Sequence, residues 1–92
     1  VIRECNLPWS VNRLGIRAEY IFNTRAPRTG REAADSGDFE LEQLIHLYLL
    51  NEGFLLTPFH NMALICPDTT KADVDAHTAA FRKMCKELTS AP

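Results

Sequence analysis

Residues 38–66 read DFELEQLIHLYLLNEGFLLTPFHNMALIC, and the order of signals in this stretch decides the fold. Asp38 is a good N-cap, because its carboxylate can accept hydrogen bonds from the free N–H groups of a first helical turn. Apolar residues then recur at helical spacing, and Gly53 supplies the left-handed residue that commonly follows a helix. The stretch therefore predicts a helix that ends at Asn51, with a buried stripe formed by Leu41, Leu44, Ile45 and Tyr48.

Two short apolar segments follow the predicted helix. Residues 54–56 are expected to form a short buried strand that ends at Pro58, since proline has no N–H to donate to a sheet. Residues 62–66 form a second apolar run of strand length, closed by Pro67. His60 and Asn61 lie between the two predicted strands as an adjacent polar pair.

The residues before the helix predict a β-hairpin and a long loop. Residues 10–14 and 17–22 have the composition of strands, and Gly15 allows a turn between them. Residues 23–37 are expected to form a fifteen-residue loop, and loops of this length are commonly functional or mobile. The residues that mark this loop are Pro27, Gly30 and Gly37, together with Arg25, Arg28 and Arg31.

A second helix is predicted near the C-terminus. Thr70 and Asp73 have the spacing of a capping box, with aspartate in place of glutamate. Neither helix is expected to be apolar all round, so both should share one face of the sheet. The predicted fold is α+β, a small antiparallel sheet with two helices on one face in the order ββαββα, and Leu44 and Phe81 should be central to its core. The apolar stripe of the last helix is Val74, His77, Phe81, Met84 and Leu88.

Composition limits the classes of function that the chain can have. Its 92 residues suffice for one small domain, residues 1–92. A net charge of −2 gives no basic excess for nucleic acid or anionic membranes. No apolar run approaches the ~20 residues that span a bilayer. Three cysteines without CxxC spacing predict free thiols in a reducing, cytoplasmic environment.

Single residues offer only weak candidate sites for chemistry. Asp73 and His77 lie four residues apart on a helix, a spacing that suits two metal ligands. A third ligand is not evident, although His60 is a candidate. His77 lies on the apolar stripe, so a packed histidine is favoured. His60 and Asn61 either bind a ligand at the strand junction or close a turn there, and the spacing does not decide between these roles.

The cysteines and the arginines of the long loop are further candidates for functional groups. Cys66 ends an apolar strand and Cys85 lies in a helix, so buried structural thiols are favoured over reactive ones. The three arginines of the long loop either bind an anion or remain solvated, and solvation is favoured. The chain has no GxGxxG, Walker A, GxSxG or HExxH motif.

Several segments, taken in order, resemble one enzyme family. Residues 53–65, GFLLTPFHNMALI, are similar to the segment that enters and crosses the C-terminal sheet of class III (fold type I) pyridoxal-phosphate (PLP) aminotransferases. The form is closest to the glutamate-1-semialdehyde aminomutase-like branch. The resemblance runs from Pro8 to Leu88, and its other carriers are RLG at 13–15, DFELE at 38–42, LYLLN at 47–51, TT at 69–70 and DVDAH at 73–77.

The resemblance implies that this chain is the C-terminal domain of a larger enzyme. In such enzymes a large domain of the same polypeptide holds PLP through a lysine, and the C-terminal domain closes the substrate side of the cleft. None of Lys71, Lys83 and Lys86 matches that lysine. We therefore expect PLP in the intact parent enzyme, a homodimer, and no PLP bound to this chain alone.

The resemblance also assigns site residues. It places no catalytic, cofactor-binding or metal-binding residue here, and it places His60 and Asn61 at the substrate entrance. Leu64 occupies the position of a carboxylate-binding arginine in the acetylornithine-type branch, so that clamp is missing. Asn61 replaces a glutamate of the aminomutase-like branch, which leaves both aminomutase and aminotransferase reactions open.

Two further expectations follow from the sequence. In isolation, the domain should expose an apolar surface that the large domain covers, formed by Phe54, Leu56, Phe59 and Met62. The alternative to an enzyme fragment is a stand-alone α+β module that binds a ligand or regulates a partner. The upstream coding region distinguishes the two, because only the first requires a large domain with an aldimine lysine.

Overall fold

Three strands and three helices make up the part of the chain that the structure, a computed structural model, describes: residues 1–25, 27–57 and 62–90. The strands form one antiparallel sheet in the order β1-β2-β3. The predicted α+β class is confirmed, but the order of elements is ββααβα. The elements are β1 (Ser10–Leu14), β2 (Arg17–Ile21), α1 (Gly30–Asp35), α2 (Phe39–Asn51), β3 (Met62–Leu64) and α3 (Lys71–Ser90).

The predicted hairpin is confirmed. Leu14 pairs with Arg17 across the turn, and Gly15 adopts a left-handed φ of 59°, which glycine reaches without a steric penalty. Strand β3 pairs with β2 from Met62 opposite Glu19 to Leu64 opposite Arg17. Strand β2 is therefore central, and the β1 and β3 strands are edges of the sheet.

Helix α2 begins and ends as predicted. Asp38 is the N-cap, and its Oδ1 accepts a hydrogen bond from the Leu41 N–H at 3.1 Å. At the other end, Gly53 has a φ of 95°, and the Phe54 N–H donates to the Leu49 carbonyl at 2.8 Å. The Gly53 N–H also donates to the Leu50 carbonyl at 3.0 Å. The two hydrogen bonds form a Schellman motif, which satisfies carbonyl groups at the end of a helix.

The buried side of α2 confirms the prediction in part, because Ile45 is buried and Leu41 and Tyr48 pack against the core. Ile45 and Leu49 are fully buried, whereas Leu44, which we expected in the centre of the core, is 37% exposed. The periodicity was ambiguous because α2 carries leucine or another apolar residue on nearly every side. The expectation that neither helix is apolar all round is therefore wrong for α2.

The predicted strand at residues 54–56 does not form. Leu56 is buried in the core, while Leu55 is 80% exposed. The Leu56 carbonyl accepts a hydrogen bond from His46 Nδ1 at 2.9 Å, so a side chain of α2 satisfies it in place of a neighbouring strand. An apolar run of this length is read equally well as a strand or as a buried irregular segment.

The expected loop at residues 23–37 contains the short helix α1. Thr29 is its N-cap, and Thr29 Oγ1 accepts from the Glu32 N–H at 3.1 Å. Glu32 in turn accepts from the Arg28 N–H at 2.7 Å. Thr29 and Glu32 have capping-box spacing, a signal that the prediction overlooked, and α1 buries no residue.

Helix α3 confirms the predicted capping box. Thr70 Oγ1 accepts from the Asp73 N–H, and Asp73 Oδ2 accepts from the Thr70 N–H at 3.0 Å. The helix buries Phe81, as predicted, while Val74 is 41% exposed. α3 packs against α2 and the sheet around one core, formed by Trp9, Ile45, Leu49, Leu56, Ala80, Phe81, Met84 and Cys85.

The N-terminal residues, in which the sequence showed little pattern, pack on this core. Trp9 is buried, and its ring meets Phe22 edge to face at 5.1 Å between centroids. Glu4 accepts two hydrogen bonds from Arg82 of α3, at 2.9 and 3.2 Å. Within the described ranges, no helix combines the length and the apolar composition that crossing a bilayer requires.

Candidate functional site

The junction between α2 and β3 carries the predicted site residues, His60 and Asn61. Both lie outside the described residues, so their role stays a prediction. The two ends of the junction are described: the Met62 N–H donates to Thr57 Oγ1 at 3.1 Å. This hydrogen bond therefore joins the residues on either side of 58–61, next to the edge strand β3.

A groove of about 610 Å³ lies between the N-terminal residues, the hairpin and α3. Tyr20 of β2 projects from the sheet into its wall and stacks on Phe81 at 4.6 Å between ring centroids. Tyr20 Oη lies 2.8 Å from Nε2 of His77. Ser10 Oγ is buried at the groove and has no hydrogen-bond partner among the described residues. The groove thus combines an aromatic wall with two polar groups, the hydrogen-bonded Tyr20–His77 pair and the Ser10 hydroxyl.

Burial fixes the protonation of the Tyr20–His77 pair. Burial raises the pKa of the Tyr20 hydroxyl far above its usual range. Burial also lowers the pKa of His77 below its ordinary value. At neutral pH both side chains are therefore uncharged, and the hydrogen bond between Tyr20 Oη and His77 Nε2 joins two neutral groups in an apolar setting.

The metal-ligand reading of Asp73 and His77 is not supported. His77 is packed, as favoured from the sequence, but its hydrogen-bond partner is the distant Tyr20. Asp73 is engaged in the cap of α3. Among residues 1–25, 27–57 and 62–90, no three side chains of histidine, cysteine, aspartate or glutamate are grouped so as to hold a metal ion. His60, the third ligand considered, lies outside these ranges.

The two C-terminal cysteines have opposite environments. Cys85 is fully buried, as predicted, and burial raises the pKa of its thiol to about 11. Cys66 was expected to be buried, and this is wrong, because β3 ends at Leu64 and leaves Cys66 exposed in the following turn. The Thr69 hydroxyl lies 3.3 Å from Cys66 Sγ, and this hydrogen bond lowers the pKa of the thiol.

The arginines of the predicted loop lie at the surface. Arg25 and Arg28 line an open cleft of about 590 Å³. Glu32 and Asp35 line the same cleft, so its charges are mixed. The cleft is therefore lined by charges of both signs and is open to solvent. A site that favours an anion over water would need a buried lining of positive charge.

The described residues do not fit a PLP site. Lys71 pairs with Asp75 at 2.8 Å, and Lys83 pairs with Glu52 at 3.0 Å, both at the surface. At the starts of α2 and α3, the Leu41 and Asp73 N–H groups already donate to the capping side chains of Asp38 and Thr70. The first turns of both helices also carry acidic residues, which repel a phosphate.

The chain is similar to part of solved PLP enzymes. A glutamate-1-semialdehyde aminomutase from Pseudomonas aeruginosa PAO1 matches 95% of this chain with 52% sequence identity and a TM-score of 0.90. A variant of that enzyme, solved in complex with PMP, matches with 52% identity and a TM-score of 0.91. In both cases the chain spans 19% of the matched chain. The resemblance drawn from residues 8–88 is thereby confirmed.

A more distant structure shows the same fold. A β-phenylalanine aminotransferase from Variovorax paradoxus matches 97% of this chain, with 21% identity and a TM-score of 0.86, over 20% of its own length. No protein-family model and no curated protein matched the chain.

The sequence reasoning missed the groove. Tyr20 was assigned to a strand only by its aromatic character, and Trp9 and Ser10 were given no role. The signal for Tyr20 was available, because alternation along β2 places it on the same side of the sheet as Ala18, opposite to Arg17 and Glu19. The burial of Ser10 depends on packing by the N-terminal segment, and no periodic pattern announces it.

Proposed function

We infer that this chain, a homologue of part of a class III PLP-dependent aminotransferase, works as the C-terminal small domain of such an enzyme. Its place is in the glutamate-1-semialdehyde aminomutase-like branch, and residues 1–92 form this one domain. The observation that carries the proposal is the agreement of both sequence and fold with that aminomutase across nearly the whole chain. In the parent protein the domain closes the substrate side of the cleft.

The parent protein transfers an amino group, either between two molecules or within one. PLP, held by the large domain, acts as the electron sink that makes the chemistry at the amine-bearing carbon possible. We propose that the parent is a cytoplasmic homodimer. The present chain contributes shape and polar contacts at the cleft, and it is inactive alone because none of its three lysines matches the PLP-binding lysine. Lys71 and Lys83 pair with carboxylates at the surface.

His60 and Asn61 are proposed to face the substrate entrance. The support is the hydrogen bond between the Met62 N–H and Thr57 Oγ1, which ties the ends of their segment together. A short segment with fixed ends can direct a side chain with little loss of entropy on binding. Asn61 offers an amide that donates and accepts hydrogen bonds without charge, so it suits a neutral polar group of the substrate.

The parent enzyme provides the test of this assignment. We expect Asn61→Ala to lower kcat/KM about tenfold, which corresponds to the ~1–1.5 kcal/mol of one neutral hydrogen bond. The melting temperature and PLP absorbance should not change. Asn12→Ala, which removes an exposed asparagine from the edge strand β1, is the matched control and should leave kcat/KM unchanged. Full activity together with a lower melting temperature would show that Asn61 only closes the turn.

The cofactor requirement has its own test. Titrating PLP into the isolated chain should give no saturable aldimine absorbance, whereas the parent enzyme should show it. A band in the isolated chain that disappears when one of the three lysines is replaced would overturn the proposal. It would instead favour the stand-alone ligand-binding module.

A further inference from the structure

Helix α2 carries a second apolar stripe on the side opposite to its buried residues. Ile45 and Leu49 point into the core, and successive helical residues are separated by 100° around the axis. This angle puts the second stripe on the other side of the helix, across three turns. We call it the outer α2 face; its residues and exposed fractions are Phe39 (73%), Leu44 (37%), Leu47 (58%) and Leu50 (46%).

The composition of α2 is unusual for a helix that faces water. It contains no lysine or arginine, and its acidic residues, Glu40 and Glu42, both lie in the first turn. The last two turns of the outer face are therefore uncharged. A helix that is apolar on all sides is normally buried on all sides. Single exposed leucines need no explanation, but Leu44, Leu47 and Leu50 follow one another at intervals of three residues and form an exposed apolar row. Such a row indicates a surface that binds protein.

We propose that the outer α2 face packs against an apolar, uncharged surface in another part of the same polypeptide, outside these 92 residues. This inference rests on the proposed function. The chain matches only a minor part of a longer enzyme, so a polypeptide of that kind has further chain to supply the surface. The occupant is identified by its chemistry: leucine-sized side chains without a charge facing Leu47 and Leu50.

The size of the face favours an occupant in the same polypeptide over a second copy of the chain. Stable complexes of separate proteins use about 20–30 residues on each side, which is more than one face of a 13-residue helix supplies. Separate molecules must also offset the loss of translational and rotational freedom. A covalently linked surface has a high effective concentration, so that a small apolar contact is sufficient.

The test is thiol labelling in the protein encoded by the complete open reading frame. Leu47→Cys places a thiol in the middle of the outer α2 face, and Ala79→Cys places one on the exposed side of α3 as the matched control. N-ethylmaleimide is the probe, and peptide mapping separates these sites from the exposed Cys66. We expect Leu47→Cys to react at least about tenfold more slowly than Ala79→Cys, because labelling then requires local opening.

The outcomes separate this inference from the proposed function. Equal labelling of the two sites in a folded protein would overturn the inference, whether or not that protein shows PLP absorbance. Protection of Leu47→Cys that disappears on dilution would also overturn it and would identify a second copy as the occupant. Protection without PLP absorbance would sustain the inference and reject the function. An open reading frame that adds no chain would overturn both. If circular dichroism shows that Leu47→Cys does not fold, Leu50→Cys replaces it.

Discussion

Helices α2 and α3 share one core, yet their opposite sides have different chemistry. The outer side of α3 carries charged residues that form ion pairs, including Lys71 with Asp75 and Lys83 with Glu52. The outer side of α2 carries exposed leucines and a phenylalanine. Both helices bury residues four apart, Ile45 and Leu49 in α2 and Phe81 and Cys85 in α3.

This difference shows that the inward face of a helix does not determine the chemistry of its outward face. The inward faces of the two helices have the same role. Each contributes aliphatic or aromatic side chains to the same buried cluster, which stabilises the domain. The outward faces suit different surroundings. The charged side of α3 suits water, and the apolar side of α2 suits the protein surface proposed above. Substitutions that contrast inward with outward positions test the comparison directly.

The largest effect is expected from Phe81→Ala. Phe81 is 5% exposed, and its ring stacks on Tyr20 at 4.6 Å. Truncation removes the buried ring, leaves a cavity between α3 and the sheet and should lower the free energy of unfolding by ~3–5 kcal/mol. Chemical denaturation of the chain measures this loss. A denaturation midpoint equal to that of the wild type would mean that α3 does not pack on the sheet as described.

A paired substitution in α2 separates its two faces. Leu49→Ala should lower the free energy of unfolding by ~2–5 kcal/mol, because Leu49 is fully buried. Leu47→Ala should change that of the isolated chain by no more than ~0.5 kcal/mol, because Leu47 is exposed there. In the parent protein, Leu47→Ala should become clearly destabilising. Equal effects of the two substitutions in the isolated chain would show that the inward side of α2 has been assigned wrongly.

The sequence predicted the ends of elements better than their faces. The ends of α2 and α3 depend on local chemistry, namely Asp38, Gly53 and the Thr70–Asp73 capping box, and all are confirmed. The inward side of α2 was predicted correctly at Ile45, Leu41 and Tyr48, but not at Leu44 and Leu49. A helix with two apolar stripes leaves the edges of its buried side open, and only the tertiary partners decide them. Leu44 was assigned to the core for this reason.

The expected apolar surface of the isolated domain is wrong for Leu56, which is buried. Phe54 and Met62 are half-buried, while Phe59 lies outside the described residues. Exposed apolar side chains also lie on the outer α2 face and near the hairpin turn. Exposure in a short irregular segment depends on non-local contacts, so composition alone could not predict it.

The candidate site shows the same limit. The order of motifs from residue 8 to residue 88 was sufficient to predict the resemblance to part of a solved aminomutase, because it combines many weak local signals. The groove lined by Tyr20 and His77 was missed, since those residues lie 57 positions apart and are joined only by the packing of β2 on α3.

The caps of the two helices should have similar effects on stability, although the outer faces differ. Asp38→Ala removes the acceptor for the Leu41 N–H, and Thr70→Ala removes the acceptor for the Asp73 N–H. Each should lower the free energy of unfolding by ~1 kcal/mol, within the range of ~0.5–2 kcal/mol for such caps. Denaturant titration of both variants measures this. A much larger effect of Asp38→Ala would show that α2 is the less stable of the two helices in isolation.

The smallest effect concerns pH and the inward side of α3, where His77 is still partly exposed. Burial lowers the pKa of His77 in the folded chain below its ordinary value of 6.5. As pH falls through 6.5, the unfolded chain therefore binds a proton before the folded chain does. Stability is complete above this pH and declines as pH falls from 6.5 towards the lower folded-state pKa.

His77→Gln isolates this contribution, because the glutamine amide can still form a hydrogen bond with the Tyr20 hydroxyl but does not titrate in this range. We expect the wild-type chain to lose stability between neutral pH and pH 5.5 relative to the variant, a window set by the histidine pKa. The other two histidines, His46 and His60, are present in both proteins and do not contribute to the difference. A difference in unfolding free energy that is constant across the window would show that His77 is as accessible to protons in the folded chain as in the unfolded one. It would also show that the inward side of α3 is open to water, which would remove the contrast with its ion-paired outer side.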